Sequence, residues 1–280
     1  MCEFCVQHGE GKKWYLEAKN YAEDLLSDAR RRRFISDFFK RPEHLAEESA
    51  QLDSLRRLPA FVQRAIKGAV TRRMKKQHFG QVVPLEDVEE IFGFVNSITR
   101  VPCICRHVSL GREARYCYGI SLGTGTGFAD AVGDLDSSFL AGPDTSAFEQ
   151  LSREDARNAF VEHEKEGLCH TVWTFVTPFI GGICNCDRAD CMAMKATVTH
   201  DAKVMFRAEY VASANPDLCT GCRSCMRVCQ FGALGYSVAN KKVSVDQTAC
   251  YGCGICRSAC RHAALSLMPR AEVSAVATLW

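Results

Sequence analysis

The feature that most constrains this chain is a duplicated run of cysteines near its carboxyl end. Each run follows the spacing C-x2-C-x2-C-x3-C, and the second begins 31 residues after the first. The first run is Cys219, Cys222, Cys225 and Cys229, and the second is Cys250, Cys253, Cys256 and Cys260. The flanking residues repeat as well, because Gly232-Ala233-Leu234 corresponds to Ala263-Ala264-Leu265. Alternating strands are expected after both, over residues 235–238 and 266–268. The duplication predicts two structurally equivalent halves.

This spacing is typical of cubane iron–sulfur ligation. Three thiolates two residues apart can wrap one face of an iron–sulfide cube, and the fourth cysteine of such a run ligates the other cluster. The sequence thus predicts two [4Fe–4S] clusters with exchanged fourth ligands. One is expected on Cys219, Cys222, Cys225 and Cys260, and the other on Cys250, Cys253, Cys256 and Cys229. Zinc is the alternative, since paired C-x2-C also builds zinc ribbons, but the further cysteines fit zinc poorly.

Residues 214–268 resemble a bacterial-type two-cluster ferredoxin domain. That family usually has proline after the fourth cysteine of each run, whereas this chain has Gln230 and Arg261 there. The departure concerns the local turn and the reduction potential, and the ligands themselves are retained.

Composition and charge narrow the class of protein. The 280 residues suit one large domain or two to three smaller ones. With no charged, apolar leader and no stretch of 18 apolar residues, we expect a soluble, cytoplasmic protein. The 17 cysteines have metal-type spacings rather than those of a secreted disulfide scaffold. Because [4Fe–4S] clusters need reducing conditions with little oxygen, the expected host is anaerobic or microaerobic.

Positive charge is concentrated at the carboxyl end, where residues 213–280 carry seven basic and three acidic side chains. Four arginines lie inside the ligand loops: Arg223, Arg227, Arg257 and Arg261. A positive charge beside a cluster stabilises its reduced form, which predicts potentials above those of acidic ferredoxins. The alternative is that these side chains point into solvent and are screened.

The first hundred residues are predicted to be helical. They open with Cys2, Cys5 and His8, which form half a metal site or lie on a frayed terminus. A basic amphipathic helix follows between Pro59 and Gly80. Its basic face is solvated or contacts an acidic redox partner; nucleic acid and anionic membranes are less favoured.

The middle of the chain carries six more cysteines in two matched triplets. These are Cys103, Cys105 and Cys117, then Cys184, Cys186 and Cys191. Neighbouring C-x-C thiols in an extended loop can chelate one metal or two adjacent irons. Buried free cysteines are common, but packing alone does not explain such clustering. We expect a third [4Fe–4S] cluster in preference to zinc. Which of the six are ligands, or of a wider set with Cys2, Cys5 and Cys169, stays open.

Local signals between the triplets predict a helix and then a strand. Ser152 is a helix cap and Gly167 a stop, and residues 168–180 alternate like a strand. The pattern Gly123-x-Gly125-x-Gly127 lacks the spacing of a dinucleotide loop, so a flexible loop is expected there.

The whole arrangement is similar to a group of anaerobe proteins that end in a two-cluster ferredoxin domain. In that group the domain is preceded by a C-x-C-R element, a helix ending in Gly-Leu-x-His, and a Cys-Asn-Cys element. The corresponding segments here are 103–106, 167–170 and 184–186. The resemblance spans roughly residues 84–268. It implies iron–sulfur electron transfer beside a partner enzyme.

Together these features predict an α+β protein. We expect a helical region over residues 1–100, a cysteine-rich mixed α/β domain over 101–212, a two-cluster domain over 213–270, and a tail over 271–280. No nucleophile–base pair, Walker loop or HExxH helix is present in the sequence. The predicted function is electron transfer that serves an anaerobic redox enzyme. The alternatives are a reductase with its own substrate site in the middle domain, and an iron–sulfur redox sensor acting through the basic helix.

Overall fold

The computed structural model describes residues 13–40, 43–112, 114–123 and 148–279. Cys2, Cys5 and His8 lie outside these residues, as do Gly125 and Gly127 of the glycine-rich loop. Within the described residues, helices combine with one seven-stranded sheet and two two-stranded sheets. The predicted α+β class is confirmed.

The amino-terminal part is a set of helices laid against the central sheet. Three 3-10 turns come first: Trp14–Leu16, Ala18–Tyr21 and Glu23–Ser27. Three α-helices follow: α1 (Ala29–Lys40), α2 (Glu43–Ser54) and α3 (Ala60–Gln77), with a 3-10 turn at Leu55–Arg57 before the last. Phe38 of α1 meets Phe175 edge-on at 5.7 Å between ring centroids. The buried Arg31 donates from Nε to the Phe175 carbonyl oxygen at 3.0 Å. These contacts fix α1 on the sheet.

Two short strands lie within the region predicted to be all helical. Strands β1 (Gly80–Val82) and β2 (Ser97–Val101) flank helix α4 (Leu85–Phe94). The prediction of an all-helical first hundred residues is wrong for these two segments. Strand β1 has only three residues, and in β2 the polar–apolar alternation is interrupted where Arg100 follows Thr99, so neither segment has the sustained pattern of a half-exposed strand. The boundary expected after residue 100 falls within β2.

The central sheet gathers strands from both the amino-terminal and the middle parts of the chain. Its other members are β3 (Cys117–Ser121), β4 (Glu149–Gln150), β5 (Cys169–Thr174), β6 (Ile180–Cys186) and β7 (Met205–Phe206). The spatial order is β4-β2-β3-β6-β5-β1-β7. Neighbours are antiparallel except β1 and β7, which are parallel. Helices α5 (Ile104–Leu110) and α6 (Arg153–Lys165) complete this domain.

The predicted cap and stop of α6 are both confirmed. The Asp155 amide donates to Ser152 Oγ at 3.1 Å, and Gly167 ends the helix with φ +84°. The strand predicted over residues 168–180 is shorter, because β5 ends at Thr174. Val176, with φ +55°, turns the chain before β6 begins.

The carboxyl-terminal part consists of two matched halves. Strands β8 (Tyr210–Ala214) and β11 (Leu265–Pro269) form one antiparallel pair, and β9 (Leu234–Ser237) and β10 (Lys242–Val245) form the other. Short helices α8 (Ser224–Val228) and α9 (Ile255–Ser258) follow corresponding ligand loops. A 3-10 turn at Arg270–Glu272 ends the unit. The strands predicted after each cysteine run are confirmed.

The two-half unit packs on the central domain through specific polar contacts. Arg257 pairs with Glu86 at 2.6 Å, and Ser258 Oγ donates to Glu164 Oε2 at 2.6 Å. The buried Arg270 pairs with Glu209 at 2.9 Å. None of the helices in the described part of the chain has the length and apolarity needed to cross a bilayer.

Candidate metal centres

The eight carboxyl-terminal cysteines surround two small cavities of nearly equal size. One has about 350 Å3 of empty space, part of it open to solvent, and is lined by Cys219, Cys222, Cys225 and Cys260. The other has about 360 Å3, also partly open to solvent, and is lined by Cys229, Cys250, Cys253 and Cys256. Each cavity therefore takes three cysteines from one run and the fourth from the opposite run, which is the grouping expected from the spacing.

Backbone amides point at the sulfurs in a pattern that repeats between the halves. Val243 N lies 3.5 Å from Cys219 Sγ, and Ala212 N lies 3.4 Å from Cys250 Sγ. The last cysteine of each run has an equivalent donor four residues on. Ala233 N is 3.3 Å from Cys229 Sγ, and Ala264 N is 3.4 Å from Cys260 Sγ. Such donors stabilise sulfur ligands that carry negative charge.

The glycines inside the ligand loops are required by close approach of the backbone. Gly221 and Gly252 occupy equivalent positions, each with φ +73°. A Cβ on Gly221 would lie 2.2 Å from the Lys241 carbonyl oxygen, and one on Gly252 would lie 2.1 Å from that of Tyr210. Neither position accepts a side chain without moving a strand, so both loops are held tightly against the cavities.

Burial and mutual repulsion set the acidity of these thiols. Burial raises the pKa of Cys250 to about 11, with neighbouring Cys253 and Cys229 adding to the rise. The pKa of Cys256 also rises, first from burial and then from the other thiols of its set. At the exposed end, the Ser224 amide lowers the pKa of Cys222. Four crowded thiolates become stable only with a cationic group between them, so the all-sulfur donor set fits an iron–sulfur cluster.

Comparison of the sequence with family models bears on this arrangement. Residues 212–261 match the model of the 4Fe-4S dicluster domain. Over these residues the chain is similar to a dicluster domain. It therefore carries two [4Fe–4S] clusters and supports an iron–sulfur electron-transfer role. No curated protein gives a significant match to the chain.

Gln230 explains the departure from the usual proline after the fourth cysteine. Its Nε2 donates to the Gly167 carbonyl oxygen at 2.8 Å, and its Oε1 accepts from the Arg188 amide at 2.9 Å. Both partners belong to the central domain. The side chain thus ties the dicluster domain to that domain, a role that proline could not fill. Arg261, at the equivalent position of the second run, is exposed.

The four arginines of the ligand loops have different surroundings. Arg257 is paired with Glu86, so part of its charge is offset. Arg223 lies over the Tyr236 ring at 5.0 Å, and Arg227 contacts Ser224 Oγ at 3.2 Å. The expected increase in reduction potential stays a prediction.

The six cysteines of the middle domain come together in one large cavity. It encloses about 1700 Å3, part of it open to solvent, between helices α1, α2 and α3 and the central sheet. The cysteines that line it are Cys103, Cys105, Cys117, Cys184, Cys186 and Cys191. Strand register accounts for part of this convergence, because Cys117 of β3 lies opposite Cys184 of β6. Cys103 precedes α5 and Cys105 lies within it, Cys186 ends β6, and Cys191 precedes the short helix α7 (Met192–Met194).

Arg106 is a buried cation beside this sulfur group, and its role was not predicted from the sequence. Its Nη1 donates to the Asn185 carbonyl oxygen at 3.0 Å and lies 3.8 Å from Cys103 Sγ. It also pairs with Asp187. Nearby thiols and Asp187 raise the pKa of Arg106 despite its burial. The C-x-C-R element identifies Arg106 in the sequence. Only the tertiary fold shows that its guanidinium lies beside Cys103 Sγ.

Cys169 lies between the middle cavity and the dicluster domain. It is fully buried on β5, directly opposite Cys186 of β6. Its thiol interacts with that of Cys253, which raises the pKa of Cys169 further after burial. Beside it, His170 Nδ1 contacts Asn185 Oδ1 at 2.6 Å. No sequence signal indicated that Cys169 would lie beside a dicluster cysteine more than eighty positions away.

Across the described ranges, no three or more His, Cys, Asp or Glu side chains converge on a single point as a mononuclear ion requires. This holds for the dicluster cysteines as well as for the six of the middle domain. In both places the cysteines line a cavity.

Proposed function

We propose that this protein is an iron–sulfur electron carrier that exchanges single electrons with a separate redox enzyme. The observation that carries the proposal is the pair of equal cavities, each lined by four cysteines drawn crosswise from the two runs. In such a protein the chain supplies burial, spacing and hydrogen bonds to sulfur, while the clusters supply the chemistry.

The crosswise lining supports one specific set of ligands. Cys219, Cys222, Cys225 and Cys260 hold the first cluster, and Cys250, Cys253, Cys256 and Cys229 hold the second. Under this assignment each half contributes to both clusters. The dicluster domain then acts as one unit rather than as two separable modules.

The two clusters have different surroundings, since the first set has an exposed cysteine and the second faces the central domain. Electrons would therefore pass between the protein surface at the first cluster and the central domain at the second. Cys222 of the first set is exposed, and two exposed apolar side chains lie on the same half, Leu218 at 49 % and Val238 at 80 %. The exposed thiol of the first set, with Leu218 and Val238 exposed on the same half, offers a contact for a partner protein. The second set faces the central domain, where Cys253 meets Cys169. We infer that the partner docks at the first cluster.

The proposal also implies a cellular compartment and an oxygen level for this protein. Cubane clusters with a thiolate on the surface require reducing conditions, so we place the protein in the cytoplasm of an anaerobic or microaerobic cell. The enzyme it serves is one that uses low-potential single electrons.

The test is chemical analysis of protein purified without oxygen. We expect at least about eight iron and eight sulfide atoms per chain, and uptake of at least about two electrons from a low-potential donor, one for each cluster. The reduced protein should be reoxidised by a one-electron acceptor without loss of iron. Fewer than about eight iron atoms, or uptake of no electrons, would contradict the proposal.

A second candidate function is favoured by the large middle cavity. Apolar side chains from α1, α2 and α3 line it above the six cysteines, among them Phe38, Ile66 and Met74. A chamber of this kind beside redox-active sulfur is what a reductase with its own small apolar substrate would need. A substrate-dependent reoxidation of the reduced protein, absent in Ile66→Trp where the chamber is filled, would favour this function over the carrier.

A further inference from the structure

The middle cavity is a second site that is lined by several cysteines. We propose that its six cysteines hold an additional iron–sulfur centre, which exchanges electrons with the second cluster of the dicluster domain through Cys169. The inference rests on the proposed function, because the electrons arrive from the dicluster domain.

The six sulfurs line one cavity and form two interacting groups. In one group the Cys117 thiol interacts with those of Cys103 and Cys184. In the other, Cys191 interacts with Cys105 and Cys186. Cys184 also interacts electrostatically with Cys103 of its own group and with Cys105 and Cys191 of the other group. The two groups therefore line one common space.

The donor set selects the chemical class of the centre. The six cysteines offer six sulfur donors, all of them free of disulfides and none exposed. Soft thiolates favour zinc, copper(I) and iron–sulfur clusters over hard cations. A structural zinc ion and a cubane cluster each take four thiolates, so the choice between them comes from the buried cation and the amide donor beside the sulfurs. A multi-iron centre can use sulfurs that belong to both groups.

Local donors and charge also suit a negatively charged centre at this place. The Tyr116 amide donates to Cys103 Sγ at 3.0 Å, as the amides in the dicluster domain do to their sulfurs. The buried Arg106 places a full positive charge beside the same sulfur. A buried cation among six neutral thiols would have little to compensate it beyond Asp187, whereas an anionic cluster compensates it directly.

Cys169 connects this cavity with the dicluster domain. It lies across the strand pair from Cys186, and its side chain interacts with Cys253 of the second cluster's set. Cys169, Cys186, Cys191 and Cys253 belong to one continuous apolar cluster. An electron leaving the second cluster, which is thereby oxidised, reaches the additional centre, which is reduced, without crossing water. No bond is made or broken and no proton is required.

The experiment compares metal content and electron uptake in three full-length proteins purified without oxygen. They are the wild type, Cys184→Ala/Cys191→Ala, which removes one sulfur from each group, and the control Cys169→Ser. The control also alters a buried cysteine of the same region, but one that is not assigned as a ligand.

We expect the wild type to contain more than about eight iron atoms and to take up more than about two electrons, since two cubane clusters account for those amounts. The double variant should fall to about eight iron atoms while its dicluster spin-resonance signals persist. Cys169→Ser should keep the wild-type iron content and take up the additional electron more slowly after the dicluster domain is reduced.

Each other result overturns part of the account. About eight iron atoms in the wild type, with or without zinc, would overturn the additional centre and leave the carrier function intact. Far fewer than about eight would overturn both. Iron loss in Cys169→Ser equal to that of the double variant would make Cys169 a ligand and not a link. If the double variant does not fold, the wild-type iron content and its Mössbauer subspectra decide alone.

Discussion

Gln230 Nε2 donates a hydrogen bond of 2.8 Å to the carbonyl oxygen of Gly167. The bond joins the residue after the fourth cysteine of the first run to the residue that ends α6. Because Oε1 of the same side chain accepts from the Arg188 amide, one glutamine holds two segments of the central domain. It fixes the orientation of the second cluster relative to the middle cavity.

Replacing Gln230 with alanine should therefore loosen the attachment of the dicluster domain. Two hydrogen bonds are lost, and we expect the free energy of unfolding to fall by about 1–3 kcal/mol. Urea unfolding of the anaerobic holoprotein measures this. Arg261→Ala is the matched control, because Arg261 occupies the equivalent position of the second run and is exposed. Its change should stay within about 0.5 kcal/mol. Equal effects of the two substitutions would show that Gln230 has no tethering role.

Gly252→Ala should destabilise the dicluster domain strongly. The new Cβ would lie 2.1 Å from the Tyr210 carbonyl oxygen, and φ of +73° adds a conformational cost of about 1–2 kcal/mol. Strand β8 would have to shift, which moves the Ala212 amide away from Cys250 Sγ. We expect loss of the second cluster, seen as reduced iron content and altered spin resonance.

The control for this substitution is Gly93→Ala. Gly93 lies within α4 with nothing within 4 Å of its added Cβ. Alanine there should raise stability by up to about 1 kcal/mol and leave the iron content unchanged. Full retention of iron in Gly252→Ala would refute the close-approach argument.

The imidazole of His163 should remain neutral through the physiological range. Burial lowers its pKa to about 4, and the charges of Arg100 and Arg106 add to the effect. Tyr118 Oη lies 2.9 Å from its Nε2. Since an unfolded histidine titrates near pH 6.5, the unfolded state binds more protons between about pH 4 and 6.5. The stability contributed by neutral His163 is thus complete above about pH 6.5 and declines as the pH falls toward 4.

Ring proton resonances of His163 measure this directly. They should not shift between pH 8 and about 5. A titration midpoint near 6.5 would show that the ring is accessible to water and that its burial against Tyr118 is not maintained.

Sequence reasoning predicted which cysteines line each of the two cavities because the pattern that groups them is local. Three of the four cysteines of each set lie within seven consecutive positions, and the spacing itself implies the exchange of the fourth. The cap at Ser152 and the stop at Gly167 were predictable for the same reason, since both depend on residues within one helical turn.

The central sheet was not predictable in this way. Strands β1 and β2 are too short for a sustained polar–apolar alternation, and β1 pairs with β5 some ninety residues later. The convergence of six middle cysteines also depends on this topology, because β3 must lie beside β6 before Cys117 meets Cys184. The positions of Cys169 beside Cys253 and of Arg106 beside sulfur follow from the same long-range packing.

The most direct test of the account is the spin-resonance spectrum of reduced Cys229→Ser, compared with those of Cys253→Ser and Cys222→Ser. A serine ligand perturbs the cluster it binds and leaves the other as a reference. Because Cys229 and Cys253 line one cavity and Cys222 lines the other, Cys229→Ser should alter the same signal as Cys253→Ser and spare the signal that Cys222→Ser alters. If Cys229→Ser instead alters the signal that responds to Cys222→Ser, the crosswise assignment of the two clusters is wrong.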